Sequence, residues 1–217
     1  MPQITKLKAQ KNQKRVNVFV DHKFSFGLSL NEAVKLGLFV GQKSSDQEIE
    51  KLFFKSQLEK FYQKTLNFLS FRPRSEKEIN DYIQKKLFKS SAGVDELKKK
   101  IKDKIINKLK KQMLIDDYKF ACWWLEQRLA FRPKGKKMLY LELRQKGVVQ
   151  DIIEKTLAQL PDYKFEDLAS ALVDKKIRLY EKLPLFKQKQ KLFEFLQRRG
   201  FEYSIIKKVI DEKLKKG

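Results

Sequence analysis

Cysteine occurs once in the chain, at Cys122, and histidine once, at His22. A single cysteine excludes an internal disulfide, and the pair cannot furnish a Cys/His metal site. Glycine and proline are scarce, 8 and 5 in 217 residues, which suits a mainly helical chain and leaves no Gly-rich loop to cradle a phosphate. No apolar run approaches the roughly 20 residues that a membrane-spanning helix needs. The opening MPQITKLKAQ lacks the apolar core of a secretory signal. These absences point to a reducing, cytoplasmic setting. Acidic residues are also outnumbered, 27 against 50 Lys and Arg, leaving a net charge of +23. Such an excess repels itself and calls for a polyanionic partner: nucleic acid, an anionic membrane surface or an acidic protein groove. A Lys-rich solvated surface with no such partner is the plainer alternative.

What is present is core material: 41% apolar residues, with 17 phenylalanines, too much for a disordered basic tail. RVNVFV places Val16, Val18 and Val20 on one face, and KFSFGLS places Phe24, Phe26 and Leu28 on one face, with DHK as a turn between them. With TKLKAQ this predicts a small antiparallel sheet of two or three strands that packs on a helix. Ser29 with Glu32, and Ser45 with Glu48, fit the capping box. The first starts a short helix ending near Gly37. The second starts a long helix, about 46–70, carrying Ile49, Leu52, Phe53, Leu58, Phe61, Leu66 and Leu69.

The rest reads as a threefold internal repeat. The Phe-Arg-Pro at Phe71–Pro73 recurs at Phe131–Pro133, and Lys146-Gly147 recurs as Arg199-Gly200. An Ile pair follows each glycine, Ile152-Ile153 and Ile205-Ile206, with a third pair at Ile105-Ile106. Each unit is helix, basic turn, helix, glycine stop, helix. In the first, Leu97, Ile101, Ile105, Leu109 and Met113 form a stripe, and in the second Val149, Ile152, Ile153, Leu157 and Leu160 do. The first unit lacks the glycine and carries an insertion around FKSSAGVDELKKK. The expected division is 1–45 for the sheet and short helix, 46–114 for the first repeat with its lead-in helix, 115–161 for the second and 162–217 for the third.

Catalytic chemistry is not written in the chain. His22 lies in the hairpin turn, and Cys122 lies beside Trp123 on an apolar helix, a core position rather than a nucleophile. Asp116 and Asp117 suggest paired carboxylates, but they serve better as N-cap and first-turn acids of the helix that follows. Trp123 and Trp124 point about 100° apart on a helix, so one is expected inside and the other at a unit boundary or on the surface, where stacking on an unpaired base is an option. The functional signal is in the basic turns. Arg132, Lys134, Lys136, Lys137, Arg144 and Lys146 stand against one acid, Glu142; Lys187, Lys189, Lys191, Arg198 and Arg199 stand against Glu194; Arg72 and Arg74 open the first unit. Several lie at helix starts, where the dipole disfavours cations, so local helix stability does not account for them. An extended positive track for binding is one reading and a solvated lysine face the other. Leu139 and Leu143 should support this turn from inside, with Leu141 on another face.

The stretches RPRSEKEINDYIQKK (72–86), LIDDYKFACWWLEQRLAFRPKGKKMLYLELRQKGV (114–148) and KLFEFLQRRGFEYSIIKKVI (191–210) resemble the RecX family, regulators of the RecA recombinase. The resemblance covers about 57–214, and the N-terminal sheet looks like the extension of longer members. It implies a mainly α fold of tandem three-helix repeats in a curved array, bound in the groove of the RecA–DNA filament and restraining strand exchange and ATP turnover. It implies no catalytic residues; no cofactor and no metal are expected, nor an oligomer beyond the monomer, and the basic turns offer Arg72, Arg74, Arg132, Lys134, Lys136, Lys137, Arg144, Lys146, Lys189, Arg198 and Arg199 as the filament or nucleic-acid surface. Direct contact with single- or double-stranded DNA is a further partner, and a stand-alone DNA- or RNA-binding helical protein is the alternative; no membrane partner is expected.

Overall fold

A computed structural model describes residues 1–11, 13–90 and 93–215. Among them, three strands precede ten helices: β1 (Ile4–Ala9), β2 (Arg15–Val20), β3 (Lys23–Ser29), α1 (Leu30–Lys35), α2 (Asp46–Ser70), α3 (Glu76–Phe88), α4 (Asp95–Lys111), α5 (Asp117–Phe131), α6 (Lys136–Gln145), α7 (Gln150–Ala158), α8 (Asp162–Ile177), α9 (Leu185–Arg198) and α10 (Tyr203–Lys215). The fold is mainly helical with a small N-terminal antiparallel sheet. The chain divides into two compact units, one of Met1–Arg72 with Ile79–Leu114, the other of Pro73–Glu78 with Ile115–Gly217. The predicted insertion runs through Ser91 and Ala92, which lie outside the described residues.

In the first unit the strands are ordered β1-β2-β3 and antiparallel. Val18, Phe26, Leu28 and Ile4 form the inward face, closed by Ile49, Leu52 and Phe53 from the first half of α2. The predicted face of Phe24, Phe26 and Leu28 needs correction. A register irregularity between Val18 and Phe19 pairs Phe26 with Val18 but Phe24 with Phe19, leaving Ser25 as an extra residue. Such a bulge inverts the alternation, so Phe24 turns to solvent, 60% exposed, while Phe26 and Leu28 are buried. The Asp21-His22 turn has both residues at positive φ, 46° and 65°, the conformation of a tight two-residue hairpin.

Of the two predicted capping boxes, the one at Ser45 and Glu48 is complete. At Ser29 only half forms. Its hydroxyl accepts from the Glu32 N–H, but the Glu32 carboxylate pairs with Lys55 at 2.7 Å and Glu59 accepts from the Ser29 N–H instead. The stripe on α2 also differs from expectation. Leu58, Leu66 and Leu69 are half-buried, while Ser56, Gln57, Phe61, Tyr62 and Thr65 are buried. Burial of hydroxyls is tolerable because Ser56 donates to the Phe53 carbonyl at 2.7 Å and Thr65 to that of Phe61 at 2.8 Å. On α4, Ile101, Ile105 and Leu109 are buried as the stripe predicts, but Met113 is exposed. It sits past the helix end at φ 56°, where its N–H and that of Leu114 satisfy the Lys110 and Leu109 carbonyls.

In the second unit, α5 to α10 share one core. Phe120, Leu125 and Leu129 of α5, Leu139 and Leu143 of α6, Ile153 of α7, Phe165, Ala169 and Val173 of α8, Leu192 and Leu196 of α9, and Ile205, Ile206 and Val209 of α10 all belong to it. The repeat is visible in this packing. Leu139, Leu143 and Val148 occupy the places that Leu192, Leu196 and Phe201 occupy one repeat later. As expected, Leu139 and Leu143 point inward and Leu141 outward. Leu143→Ala should therefore lower the stability of this unit by about 2–5 kcal/mol, read as a fall in the urea midpoint with the slope unchanged.

Candidate functional site

The basic turns sit where helix ends meet. The carboxyl end of α6 closes with a left-handed glycine, Gly147, at φ 82°; the Gly147 N–H donates to Arg144 O and the Val148 N–H to Leu143 O. Against that end lies the amino end of α3. Ser75, wholly buried, accepts from the Glu78 N–H and donates its own hydroxyl to Lys146 O at 2.6 Å. The Lys77 ammonium donates to Gln145 O at 3.2 Å, and Lys146 pairs with Glu78 at 2.7 Å. The same joint recurs one repeat later. Gly200 closes α9 at φ 79°, and Gly135, at the start of α6, donates to Arg199 O at 2.9 Å. The Arg199 guanidinium donates to Pro133 O at 3.2 Å. In each joint the positive end of one helix macrodipole meets the negative end of the next, which is favourable. Each joint also supplies partners for backbone groups that helix ends leave orphaned.

These joints sort the eleven basic residues singled out from sequence. Lys134, Lys136, Lys146 and Arg199 are half-buried and already partnered, with Glu142, Asp162, Glu78 and Pro133 O respectively. Arg72 and Arg74 are half-buried, and neither is a free surface charge. Lys189 is exposed and pairs with Asp211 at 3.0 Å. Arg132, Lys137, Arg144 and Arg198 are exposed, and none has an ion-pair partner among the described residues. Lys137 and Arg144 lie seven apart on α6 and so share a face, with Leu141 between them. Lys187, Lys191 and Arg198 share a face of α9 in the same way, all exposed. Arg144 and Arg198 belong to last turns, where a cation complements the dipole; Lys137 is in a first turn, against it.

Glu142, counted in the sequence only as the lone acid among cations, is the centre of the second repeat. Its carboxylate accepts from Trp124 Nε1 at 2.9 Å and Arg128 Nε at 2.7 Å, and it pairs with Lys134. Trp124 in turn lies under the Arg128 guanidinium at 4.1 Å and the Lys146 ammonium at 5.0 Å. Both tryptophans are half-buried, so the expected division into one inside and one outside does not hold. Each gives one edge to the core, and Trp124 finds its polar partner in Glu142. Burial opposes ionisation of Glu142, but the hydrogen bonds from Lys134, Arg128 and Trp124 outweigh it and hold the carboxyl below its usual range.

A carboxyl whose pKa is lowered on folding contributes stability that is present above its unfolded value and lost as pH falls through the folded one. Unfolding midpoints should therefore decline in acid below the ordinary glutamate value of about 4.3. Glu142→Gln leaves two half-buried cations short of a counter-charge. It should lower stability at neutral pH by about 1–3 kcal/mol and flatten the acid limb of a thermal-melt series.

Asp116 is the N-cap of α5, accepting from the Lys119 N–H at 3.0 Å, and Asp117 accepts from the Glu76 N–H at 2.8 Å. Both carboxylates thus serve helix ends. His22 is exposed in its turn and Cys122 is half-buried. Among the described residues, no group of three or more His, Cys, Asp or Glu could hold a metal ion, and no helix is long and apolar enough to cross a membrane. Sequence reading missed the joints, although Ser75 and Gly135 stand at the same place after each Phe-Arg-Pro-basic run. A small residue fixed at that position was the signal.

Comparison with known proteins matches four RecX family models: the regulatory protein RecX N-terminal domain at 2–44, and the first, second and third RecX three-helix domains at 62–92, 116–157 and 163–210. Regulatory protein RecX of Bacillus pumilus is 34% identical over 213 residues, covering 98% of this chain and 78% of that one. The Bacillus subtilis protein of the same name is 31% identical over 216 residues, covering 98% and 77%. A crystal structure of a regulatory protein RecX superposes with a TM-score of 0.72 at 26% identity, covering 97% of this chain and 100% of that one. RecX from Lactobacillus salivarius superposes with a TM-score of 0.61 at 28% identity, covering 71% and 95%.

Proposed function

Since this chain belongs to the RecX regulatory protein family, we propose that it binds the RecA filament on DNA and restrains strand exchange and ATP turnover. It does so by charge and shape, without catalysis of its own, and in the cytoplasm with its partner. In this reading recombination, repair and the SOS response are the processes it tunes. The repeats at 46–114, 115–161 and 162–217 form the binding array, and 1–45 is an added module.

The observation that carries this reading is the sorting of the basic residues. Lys146 and Arg199 are taken up by the joints, and Lys134 and Lys136 by Glu142 and Asp162. Arg132, Lys137, Arg144 and Arg198, with Lys187 and Lys191, remain exposed for an anionic partner. A surface kept merely for solubility needs no repeated placement beside helix joints. Co-sedimentation tests the proposal. The chain should pellet with RecA filaments assembled on single-stranded DNA at salt concentrations that release it from the same DNA without RecA. Equal retention on naked DNA, with the steep salt dependence of counterion release, would favour the stand-alone nucleic-acid binder instead.

A further inference from the structure

An antiparallel sheet that packs one face on a core ordinarily turns polar residues to water on the other. The outward face of β1–β3 keeps that rule at Lys6, Lys8 and Asn17 and breaks it at Phe19 and Phe24. Across the three strands, Lys6 is opposite Phe19 and Phe19 is opposite Phe24; in the row beside it, Lys8 is opposite Asn17 and Asn17 is opposite Gly27. Two register irregularities, one between Ile4 and Lys6 and one at Val18/Phe19, set the first row. The second is the bulge that turns Phe24 out of the core. Bulges recur where a side chain must be re-aimed, and here the re-aimed side chain is an aromatic ring placed 5.9 Å from Phe19, edge to face. Gly27 leaves room in the second row for the Asn17 and Gln10 side chains, which hydrogen-bond to each other at 2.7 Å across it.

The charge on the three strands and their turns is almost all positive. Residues 1–29 contain Lys6, Lys8, Lys11, Lys14, Arg15 and Lys23 against a single acid, Asp21. Asp21 is at the hairpin tip, where its carboxylate accepts from the Gln3 N–H. At the other end Arg15 donates to Gly27 O, and Glu59 of α2 accepts from the Ser29 N–H. Further along α2, the Lys64 ammonium is held below the usual lysine range by burial and then by Lys60, Lys86 and Arg15. The positive field therefore continues past the sheet edge.

We propose that the outward face of this sheet binds single-stranded nucleic acid, with an unpaired base stacked on the exposed Phe24 ring, which Phe19 braces edge to face, and flanking phosphates held by Lys6 and Lys8. Exposed aromatic rings accept any unpaired base plane, and lysines beside them neutralise the backbone. A duplex hides its base faces and could use only the lysines. This site is separate from the repeats, and its binding requires no recombinase.

The test uses the full chain with a fluorescein-labelled oligothymidylate and a labelled duplex of the same length, followed by anisotropy. Phe24 is exposed, so Phe24→Ala leaves the core intact and its thermal midpoint serves as the folding control. Phe24→Ala should weaken binding to the single strand about 5- to 100-fold and leave duplex affinity unchanged, while Phe24→Tyr, which keeps the ring, should bind like the parent. Lys6→Glu with Lys8→Glu should weaken both ligands and reduce the slope of log affinity against log salt by about 1.4 for the single strand and about 1.8 for the duplex. Phe24→Ala that binds the oligothymidylate like the parent overturns the proposal. Equal losses on single strand and duplex also overturn it, because they leave charge alone as the cause.

Discussion

Gly135→Ala is expected to lower the stability of the second unit by about 3 kcal/mol, the upper end of what overpacking ordinarily costs. A Cβ on Gly135 would lie 2.1 Å from Gly200 O and 2.4 Å from Phe201 Cα. Those atoms are backbone, fixed by the turn that closes α9, and cannot swing aside. The close approach follows from the Gly135 N–H bond to Arg199 O, which draws two main chains together. The equivalent position in the preceding joint is Ser75, which reaches Lys146 O through its side chain and so keeps the backbones further apart. Gly37→Ala supplies the internal control. At φ 57° a Cβ there would have nothing within 4 Å, so the cost should be about 1 kcal/mol from the left-handed backbone alone. Chemical denaturation of the two variants should separate them clearly. Equal losses would mean that the joint is looser than its geometry indicates.

The second large effect concerns function. Lys137→Glu, Arg144→Glu and Arg198→Glu together should raise the concentration needed for half-maximal restraint of RecA strand exchange at least about tenfold, while the chain stays folded and its melting temperature falls by only a few degrees, because two of the three cations sit in last turns. Each exposed contact is worth only about 0.2–1 kcal/mol, so single changes should do little. Reversing two on α6 and one on α9 converts attraction into repulsion at each and passes the roughly 1.4 kcal/mol of a tenfold change. Lys134 and Lys136 are poor choices for the same experiment. Reversing them would set like charges against Glu142 and Asp162, and lost activity would then report on a damaged repeat.

Much of the fold was legible because its signals are local. The strand alternation, the Ser45 capping box, the glycine stops and the Leu139/Leu143 spacing each act within one turn or one hairpin, where period and cap chemistry decide the outcome. The departures come from partners distant in sequence. Phe24 left the core through a bulge defined by pairing with β2. Glu32 abandoned its cap for Lys55 on α2. Thr65 displaced leucines from the buried stripe because its hydroxyl could be satisfied within the helix.

The basic turns show the same division. Composition identified them as a cluster, but which cations are spent inside the protein depends on Glu142, Asp162 and Glu78, none of them adjacent to its cation in sequence. The head-to-tail joints could not be read from any single repeat. They exist only when the amino end of one repeat's middle helix meets the carboxyl end of the next.

The most direct test is ATP hydrolysis by RecA on single-stranded DNA, followed while this chain is titrated in. Filament regulation predicts falling turnover at far less than one copy per DNA binding site, because one molecule bound to a filament affects many protomers. Suppression that appears only once the chain is abundant enough to coat the DNA, and that any other basic DNA-binding protein reproduces, would contradict it.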